Sequence, residues 1–396
     1  EKQGVPVWGD VELAWRLRRA DADDTSAAPW LGITGTNGKT TTVKMLESIL
    51  TAAGKRAVAV GNVGTPVLDA VLASDPYDVL ALELSSFQLH WTTPWNEDEG
   101  RDAISMQAAT VLNIAPDHLD WHGSEQAYAD AKRRIFDGAQ VACVYNRQDP
   151  ATEQLVMDAD VVDGCRAVGF GLGAPGPSNF GVVDGLLVDR AFVDNRQKNA
   201  AELGTVRDVK PSVPHNIANA LAAAALARAH GVTSAAVREG LRAFTPDAHR
   251  IAEVAVVDEV TYIDDSKATN GHAAAASLNS YENVVWIAGG LAKGASFDEL
   301  VDGAKEHLRA VVLMGADRGV IRDALARHAP QVPVVEVTDT DTGAMDRVVG
   351  EAAGLARPGD TVLLAPACAS MDMFADYKAR GNAFAAAVHR LTASRN

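Results

Sequence analysis

The sequence predicts an α/β fold in two successive blocks, each a mostly parallel sheet covered by helices, and three observations lead there. From Trp30 onward, apolar runs at residues 31–34, 57–60, 79–84, 109–114 and 141–145 alternate with helical or loop segments. Alternation of this kind makes parallel strands joined by crossover helices. The first run passes into Gly32-Ile33-Thr34-Gly35-Thr36-Asn37-Gly38-Lys39-Thr40-Thr41-Thr42, directly ahead of a helical pattern. A strand, a glycine loop and a helix start in that order cradle phosphate. Glycines let successive N–H groups point at phosphate oxygens, Lys39 supplies a point charge, Thr40 can ligate magnesium, and the helix N-terminus adds its dipole. The strict spacing of such loops fails by one position, because Ile33 stands where a glycine would fall. Third, Phe244-Thr245-Pro246-Asp247 breaks the pattern, and a new alternation follows with strands expected at 254–257, 261–264, 284–288, 310–314, 334–337 and 361–364.

In chain order, Gly4-Val5-Pro6-Val7-Trp8-Gly9-Asp10 and the Val11-Glu12-Leu13-Ala14-Trp15 after it read as a short strand, a turn and a helix, too small to stand alone. Residues 21–29, acidic and small, read as a linker. After Gly171 the texture turns to Gly, Pro and Ser, and a hairpin is expected around Asp184-Gly185, consistent with a small sheet appended to the main one. Residues 216–230 are alanine-dense and end at Gly231, which reads as a helix with a glycine cap. The expected division is residues 1–29, a short leading piece with its linker; 30–246, a central domain of P-loop type; and 247–396, a C-terminal Rossmann-like domain.

Composition narrows the function. At 396 residues the chain exceeds one compact core. Its 36 Lys and Arg against 52 Asp and Glu leave a net charge of −16, which opposes sequence-independent binding to nucleic acid or anionic lipid. No stretch approaches the run of about eighteen apolar residues that spans a membrane, and no charged-then-apolar leader opens the chain. The first residue is Glu1 rather than Met, so a processed or partial chain is expected. Cys143, Cys165 and Cys368 are odd in number and widely spaced, which fits a reducing cytoplasm, and each is expected as a small buried apolar residue.

Several constellations can carry chemistry. Glu83 closes the apolar run Leu80-Ala81-Leu82-Glu83, and a carboxylate at the carboxyl end of a parallel strand sits where open α/β sheets bind ligands. It can complete a magnesium shell begun by Thr40. The loop Ala115-Pro116-Asp117-His118-Leu119-Asp120-Trp121-His122 leaves the next strand, and His118 can ligate a second metal; His122 reads as loop structure. Lys132, in a helical segment, reads from the residues alone as a surface lysine. In the second block Asp265-Ser266-Lys267-Ala268-Thr269-Asn270, Gly289-Gly290-Leu291-Ala292-Lys293-Gly294 and Pro366-Ala367-Cys368-Ala369-Ser370 each follow a strand. Together they suggest an acidic small molecule; singly, each reads equally well as a solvated loop.

These residues together resemble the Mur ligase family, over residues 4–396. The phosphate loop marks the wider superfamily, which includes folylpolyglutamate synthase. Glu83-Leu84-Ser85-Ser86-Phe87-Gln88-Leu89, paired with the loops at 265–270 and 367–370, resembles the branch of the family that adds D-glutamate. The resemblance implies an ATP-dependent carboxylate-amine ligase of peptidoglycan precursor synthesis, with UDP-N-acetylmuramoyl-L-alanine and D-glutamate as substrates. It implies ATP held by Gly35, Thr36, Asn37, Gly38, Lys39, Thr40 and Thr41, with Asn216 and Asn219 facing the adenine and Arg250 and Asp265 reaching the nucleotide from the second block. It further implies two Mg2+ ions, one on Thr40 and Glu83, the other on His118 and a carbamylated Lys132. Asn62, Ser85 and Gln88 would position the muramoyl-alanine end, while Lys267, Thr269, Lys293, Ser370 and Tyr377 would enclose D-glutamate. The family carries an N-terminal domain that grips uridine diphosphate, of which residues 1–29 look like the tail. A monomer located in the cytoplasm is expected. Two other readings stay open on the sequence: a folylpolyglutamate synthase-like ligase, and a non-catalytic ATP-binding switch protein.

Overall fold

The computed structural model describes residues 7–18, 27–95, 103–339 and 343–395. The chain divides into two compact units, residues 1–245 and 246–396.

In the first unit the strands are β1 (Trp30–Thr34), β2 (Ala57–Gly61), β3 (Val79–Glu83), β4 (Ala108–Val111), β5 (Ala142–Asn146), β6 (Arg166–Phe170), β7 (Asn179–Val183), β8 (Leu186–Asp189) and β9 (Ala201–Thr205). They form one sheet in the order β2-β3-β1-β4-β5-β6-β7-β8-β9. Pairing is parallel from β2 through β7 and antiparallel across β7, β8 and β9. The hairpin expected at Asp184-Gly185 joins β7 to β8, and its strands continue the main sheet edge to edge. Asp184 and Gly185 both take positive φ, the geometry that a tight two-residue hairpin requires. The chain runs from β1 to one side for β2 and β3, then returns to the other side for β4. The carboxyl end of β1 is therefore the point where strand order reverses and a crevice opens.

Helices of this unit are α1 (Asp10–Leu17), α2 (Lys39–Ala52), α3 (Val67–Val71), α4 (Ser86–His90), α5 (Leu119–His122), α6 (Glu125–Arg133), α7 (Pro150–Met157), α8 (Pro214–Ala229) and α9 (Ser234–Ala243). The strand expected ahead of α1 and most of the expected linker fall outside the described residues. Helix α1 buries Val11, Ala14 and Trp15 in the same apolar cluster as Trp30, and the Trp15 and Trp30 rings meet edge to face at 5.0 Å. On the opposite face of the sheet, α8 is buried on nearly all sides: Ala220, Ala222, Ala223, Ala224, Ala225 and Ala227 are fully inaccessible. Alanine serves there because it keeps helix propensity while letting the helix lie close to its neighbours. Gly231, at φ 89°, ends that helix as its sequence predicts.

The second unit holds β10 (Ala252–Val257), β11 (Val260–Asp264), β12 (Val284–Gly289), β13 (Leu308–Met314), β14 (Val334–Glu336) and β15 (Thr361–Leu364), in the order β10-β11-β15-β12-β13-β14. Only β10 runs antiparallel to its neighbour. Helices α10 (Gly271–Leu278), α11 (Asp298–Ala304), α12 (Arg318–His328), α13 (Ala344–Leu355) and α14 (Tyr377–Arg395) accompany it. Strand β15 lies between β11 and β12, so the three glycine- and serine-bearing loops singled out in the sequence leave three adjacent strands.

Packing of α2 against α9 yields a test whose sign opposes local propensity. A Cβ on Gly240 would lie 2.7 Å from the backbone nitrogen of Ile49, which cannot move aside. Gly240→Ala should therefore destabilise the protein by roughly 1–3 kcal/mol, although alanine is the better helix former. Urea denaturation measures it.

Candidate active site

The phosphate loop is built by two glycines. Gly35 takes φ 147°, and Gly38 takes φ 84° as the residue before α2 begins at Lys39. A Cβ on Gly38 would lie 2.5 Å from Asn219 Oδ1, so α8 approaches the loop as closely as glycine permits. Asn219 in turn donates to Asn216 Oδ1 at 3.4 Å, and both are buried. The structure thus brings Gly35, Thr36, Asn37, Gly38, Lys39, Asn216 and Asn219 together, with Thr40 and Thr41 in the first turn of α2.

Residues beyond those expected hold this loop. Asn113, just past β4, accepts from the Asn37 N–H through Oδ1 at 2.8 Å, donates to the Asn37 carbonyl at 3.1 Å, and accepts from the Thr36 N–H through its own carbonyl at 3.0 Å. Thr36 Oγ1 accepts from the Ala115 N–H at 3.0 Å and meets the buried Tyr128 hydroxyl at 3.1 Å. Lys39 folds back and donates to the Gly35 and Thr36 carbonyls at 2.8 and 2.9 Å.

Lys132 is not on the surface, as its residues alone suggested. It is 2% exposed, donates to the Gly35 carbonyl at 2.9 Å and to Thr34 Oγ1 at 3.3 Å, and sits 4.7 Å from the Tyr128 ring centre. The short polar residues that follow β1 leave room for a long side chain rising from α6. Burial, and then the charge of Lys39, push its amine well below the usual lysine range; Asp117 and Glu83 oppose this in part.

Glu83 ends β3, buried at 2% exposure. Its Oε1 accepts from Asn62 Nδ2 at 3.1 Å, while Oε2 is buried with no hydrogen-bond partner. An orphaned carboxylate oxygen beside a phosphate loop is the donor that a hard cation lacks. No three His, Cys, Asp or Glu side chains converge on a metal site among the described residues. A cation here would therefore draw on hydroxyl and phosphate oxygens as well.

His118 is half exposed, at φ 52°, with Nε2 3.6 Å from Asp117 Oδ2 and its ring 4.8 Å from that of Phe87. Its ring and the Lys132 amine both border Tyr128. His122, read as loop structure, bonds Ser86 Oγ at 2.9 Å, and burial lowers its pKa. Ser85 and Gln88 form the capping box that starts α4, and Gln88 Nε2 reaches Asp10 at 3.2 Å.

In the second unit, Lys267 lies 4.3 Å from the Tyr377 ring centre, and the Tyr377 carbonyl accepts from Ser266 Oγ at 2.8 Å. Ser370 is buried and Thr269 half buried, whereas Lys293 is exposed at φ 52°. The loop that bears Lys293 is tied to the Ser370 loop through Leu291 and Ala369, which exchange backbone bonds at 2.9 and 3.0 Å. Arg380, from α14, organises two loops: its guanidinium donates to Ser266 Oγ, the Ser266 carbonyl and the Cys368 carbonyl at 2.9, 2.8 and 3.0 Å. Arg250, flanked by His249 and Ile251 at positive φ, lies 3.8 Å from Asp247. Asp265 is buried against the Ser277 hydroxyl, and burial raises its carboxyl to about 6 despite that bond and the Arg250 charge.

Two tests follow from this geometry. Asn113→Ala removes both side-chain bonds to the loop at about 1 kcal/mol each, so ATP affinity should fall roughly 5- to 30-fold by calorimetry. For Asp265, the folded carboxyl keeps its proton to about pH 6, whereas the unfolded one releases it near 3.8. The stability it confers is complete below pH 3.8 and is lost as pH rises through 6, by about 3 kcal/mol. Asp265→Asn should flatten that slope in denaturation measured across this range.

Comparison with known proteins agrees with the geometry. The model of the Mur ligase middle domain matches residues 33–227, and that of the Mur ligase glutamate ligase domain matches residues 249–368. UDP-N-acetylmuramoylalanine--D-glutamate ligase of Streptomyces coelicolor is 67% identical over 390 residues, which cover 98% of this chain and 80% of that protein. Among solved structures, MurF ligase from Thermotoga maritima in complex with ADP has TM-score 0.64 at 16% identity, covering 98% of this chain and 84% of that one. Folylpolyglutamate synthase of Mycobacterium tuberculosis, complexed with ADP and AMPPCP, has TM-score 0.59 at 17% identity over 92% of this chain and 91% of that one. At such identities the likeness shows the fold alone, and it is shared by both enzymes; the family models and the Streptomyces relative decide between them. This chain belongs to the Mur ligase family.

Proposed function

We propose that the chain is the ATP-dependent ligase that joins D-glutamate to the L-alanine carboxylate of UDP-N-acetylmuramoyl-L-alanine. The close Streptomyces relative supports the substrates, and the observation that carries the chemistry is the orphaned, buried Glu83 Oε2 beside the phosphate loop. A carboxylate is a poor electrophile because its leaving group would be oxide. Transfer of the γ-phosphoryl group to it gives an acyl phosphate and ADP. The neutral amine of D-glutamate then attacks the carbonyl, and a tetrahedral intermediate collapses to amide and phosphate.

In this reading Gly35, Thr36, Asn37, Gly38, Lys39, Thr40 and Thr41 hold the phosphates, and Lys39 leaves its loop carbonyls to meet them. Asn216, Asn219, Arg250 and Asp265 serve the nucleotide. Thr40 and Glu83 would hold one magnesium ion, His118 and Lys132 a second; when bound, these ions offset charge on the transferring phosphoryl group. In its neutral form, which burial favours, the Lys132 amine can add carbon dioxide with release of one proton, and the resulting carbamate would supply the oxygen that magnesium prefers. Asn62, Ser85 and Gln88 set the muramoyl-alanine end. Lys267, Thr269, Lys293, Ser370 and Tyr377 surround D-glutamate, whose two carboxylates suit the two lysines.

The test is ADP release that requires D-glutamate. Lys39→Ala and Lys132→Ala should each reduce turnover at least 100-fold. Carbon-dioxide-free buffer should lower wild-type turnover, and bicarbonate should restore it. ADP release with folate in place of the uridine substrate, or ATP binding with no amide product, would overturn the proposal.

A further inference from the structure

Cys143 and Cys165 lie outside the ligation chemistry. Cys143 is in β5, buried; Cys165 immediately precedes β6, half-buried rather than fully buried as its sequence suggested. Their sulfurs are 3.9 Å apart, within a thiol–thiol hydrogen bond. A disulfide has sulfurs about 2.05 Å apart, so the pair must close by roughly 2 Å. The residue before Cys165 is Gly164, at φ 90°, a conformation that glycine adopts without strain. The bond between the two thiols separates their acidities. It lowers Cys165, the accessible partner, and raises Cys143, which burial raises further.

We propose that Cys143 and Cys165 form a reversible oxidation site, in which hydrogen peroxide oxidises Cys165 and Cys143 then closes a disulfide with it. In the first step the Cys165 thiolate attacks the peroxide; the O–O bond breaks, an S–O bond forms, and hydroxide leaves to take up a proton as water. In the second the Cys143 sulfur displaces hydroxide from the Cys165 sulfenic acid as its own proton is lost, giving the S–S bond and a second water. Two thiols are oxidised and one peroxide is reduced. Cys368 does not follow this course, because burial pushes its thiol up to about 12 and neither of the other two cysteines, which pair with each other, faces it.

The whole chain is treated with hydrogen peroxide, quenched, alkylated after denaturation, and mapped by mass spectrometry without reductant. Met157 and Met371, 73% and 63% exposed, report the oxidant dose. The expected result is a linked pair of peptides, lighter by two hydrogens and separated by dithiothreitol, with Cys368 still alkylated. Cys143→Ser should leave Cys165 as a sulfenic acid that dimedone traps, and Cys165→Ser should leave Cys143 reduced. Sulfoxide at both methionines while Cys143 and Cys165 remain alkylated thiols overturns the proposal. So does Cys165 carrying two or three oxygens beside an unchanged Cys143.

Discussion

One carbonyl oxygen organises the first unit: that of Gly35, which accepts from Lys39 at 2.8 Å and from Lys132 at 2.9 Å. Two ammonium groups on one acceptor repel each other, which favours loss of a proton from one of them. Burial decides which. Lys132 is the enclosed one and its amine is driven toward neutrality, while Lys39 stays half buried at the start of α2. The same arrangement thus treats two residues of the same type differently: burial lowers the pKa of the Lys132 amine well below the usual lysine range, while Lys39 keeps the more open place at the start of α2.

Strand order explains why these groups meet. In the first unit β1 lies between β3 and β4, and the carboxyl ends of these three strands supply the phosphate loop, Glu83 and Asn113. In the second unit β15 lies between β11 and β12, and their ends supply the loops bearing Lys267, Ser370 and Lys293. Each sheet opens a crevice where its winding reverses. The polar residues there come from distant parts of the chain, gathered by crossover connections such as those from β3 to β4 and from β14 to β15.

Sequence legibility follows the range of the interaction concerned. Most strands were readable because apolar runs and glycine or proline breaks are local signals, and their observed boundaries differ from the expected ones by a few residues at most; β6 and β9, short and only partly apolar, were not among them. The phosphate loop was readable for the same reason. Lys132 was not: a lysine in a polar helical stretch looks solvated, and its burial depends on Thr34 and Gly35 nearly a hundred residues earlier. Arg380 likewise follows the last strand as one polar residue among several. Only the tertiary structure shows its guanidinium enclosed by the Ser266 and Cys368 carbonyls. Asn113 sat in plain view within an apolar run, yet its pairing with Asn37 needs the register of β1 against β4. Cys165 was expected inside because cysteine usually is, but its place at a strand entry leaves one side open.

Hydrogen-bond capacity also constrains what Ser85 can do for a substrate. Its hydroxyl donates to Gln88 Oε1 at 3.1 Å and accepts from the Gln88 N–H at 3.1 Å, and its own N–H donates to the same Oε1 at 3.1 Å. The one hydroxyl proton is spent, whereas an oxygen lone pair remains. While the capping box stands, Ser85 can only accept, so a substrate group that meets it must be a donor. The amide N–H at the muramoyl-alanine junction has that character; the L-alanine carboxylate does not. Gln88 is similarly committed through Oε1, but its amide nitrogen holds only Asp10 at 3.2 Å near the surface, a bond that a substrate oxygen can replace at little cost. If the pair meets the substrate as proposed, the capping box would leave Ser85 the part of acceptor and Gln88 that of donor. It also fixes both side chains before any substrate arrives, so little rotamer entropy is left to lose on binding.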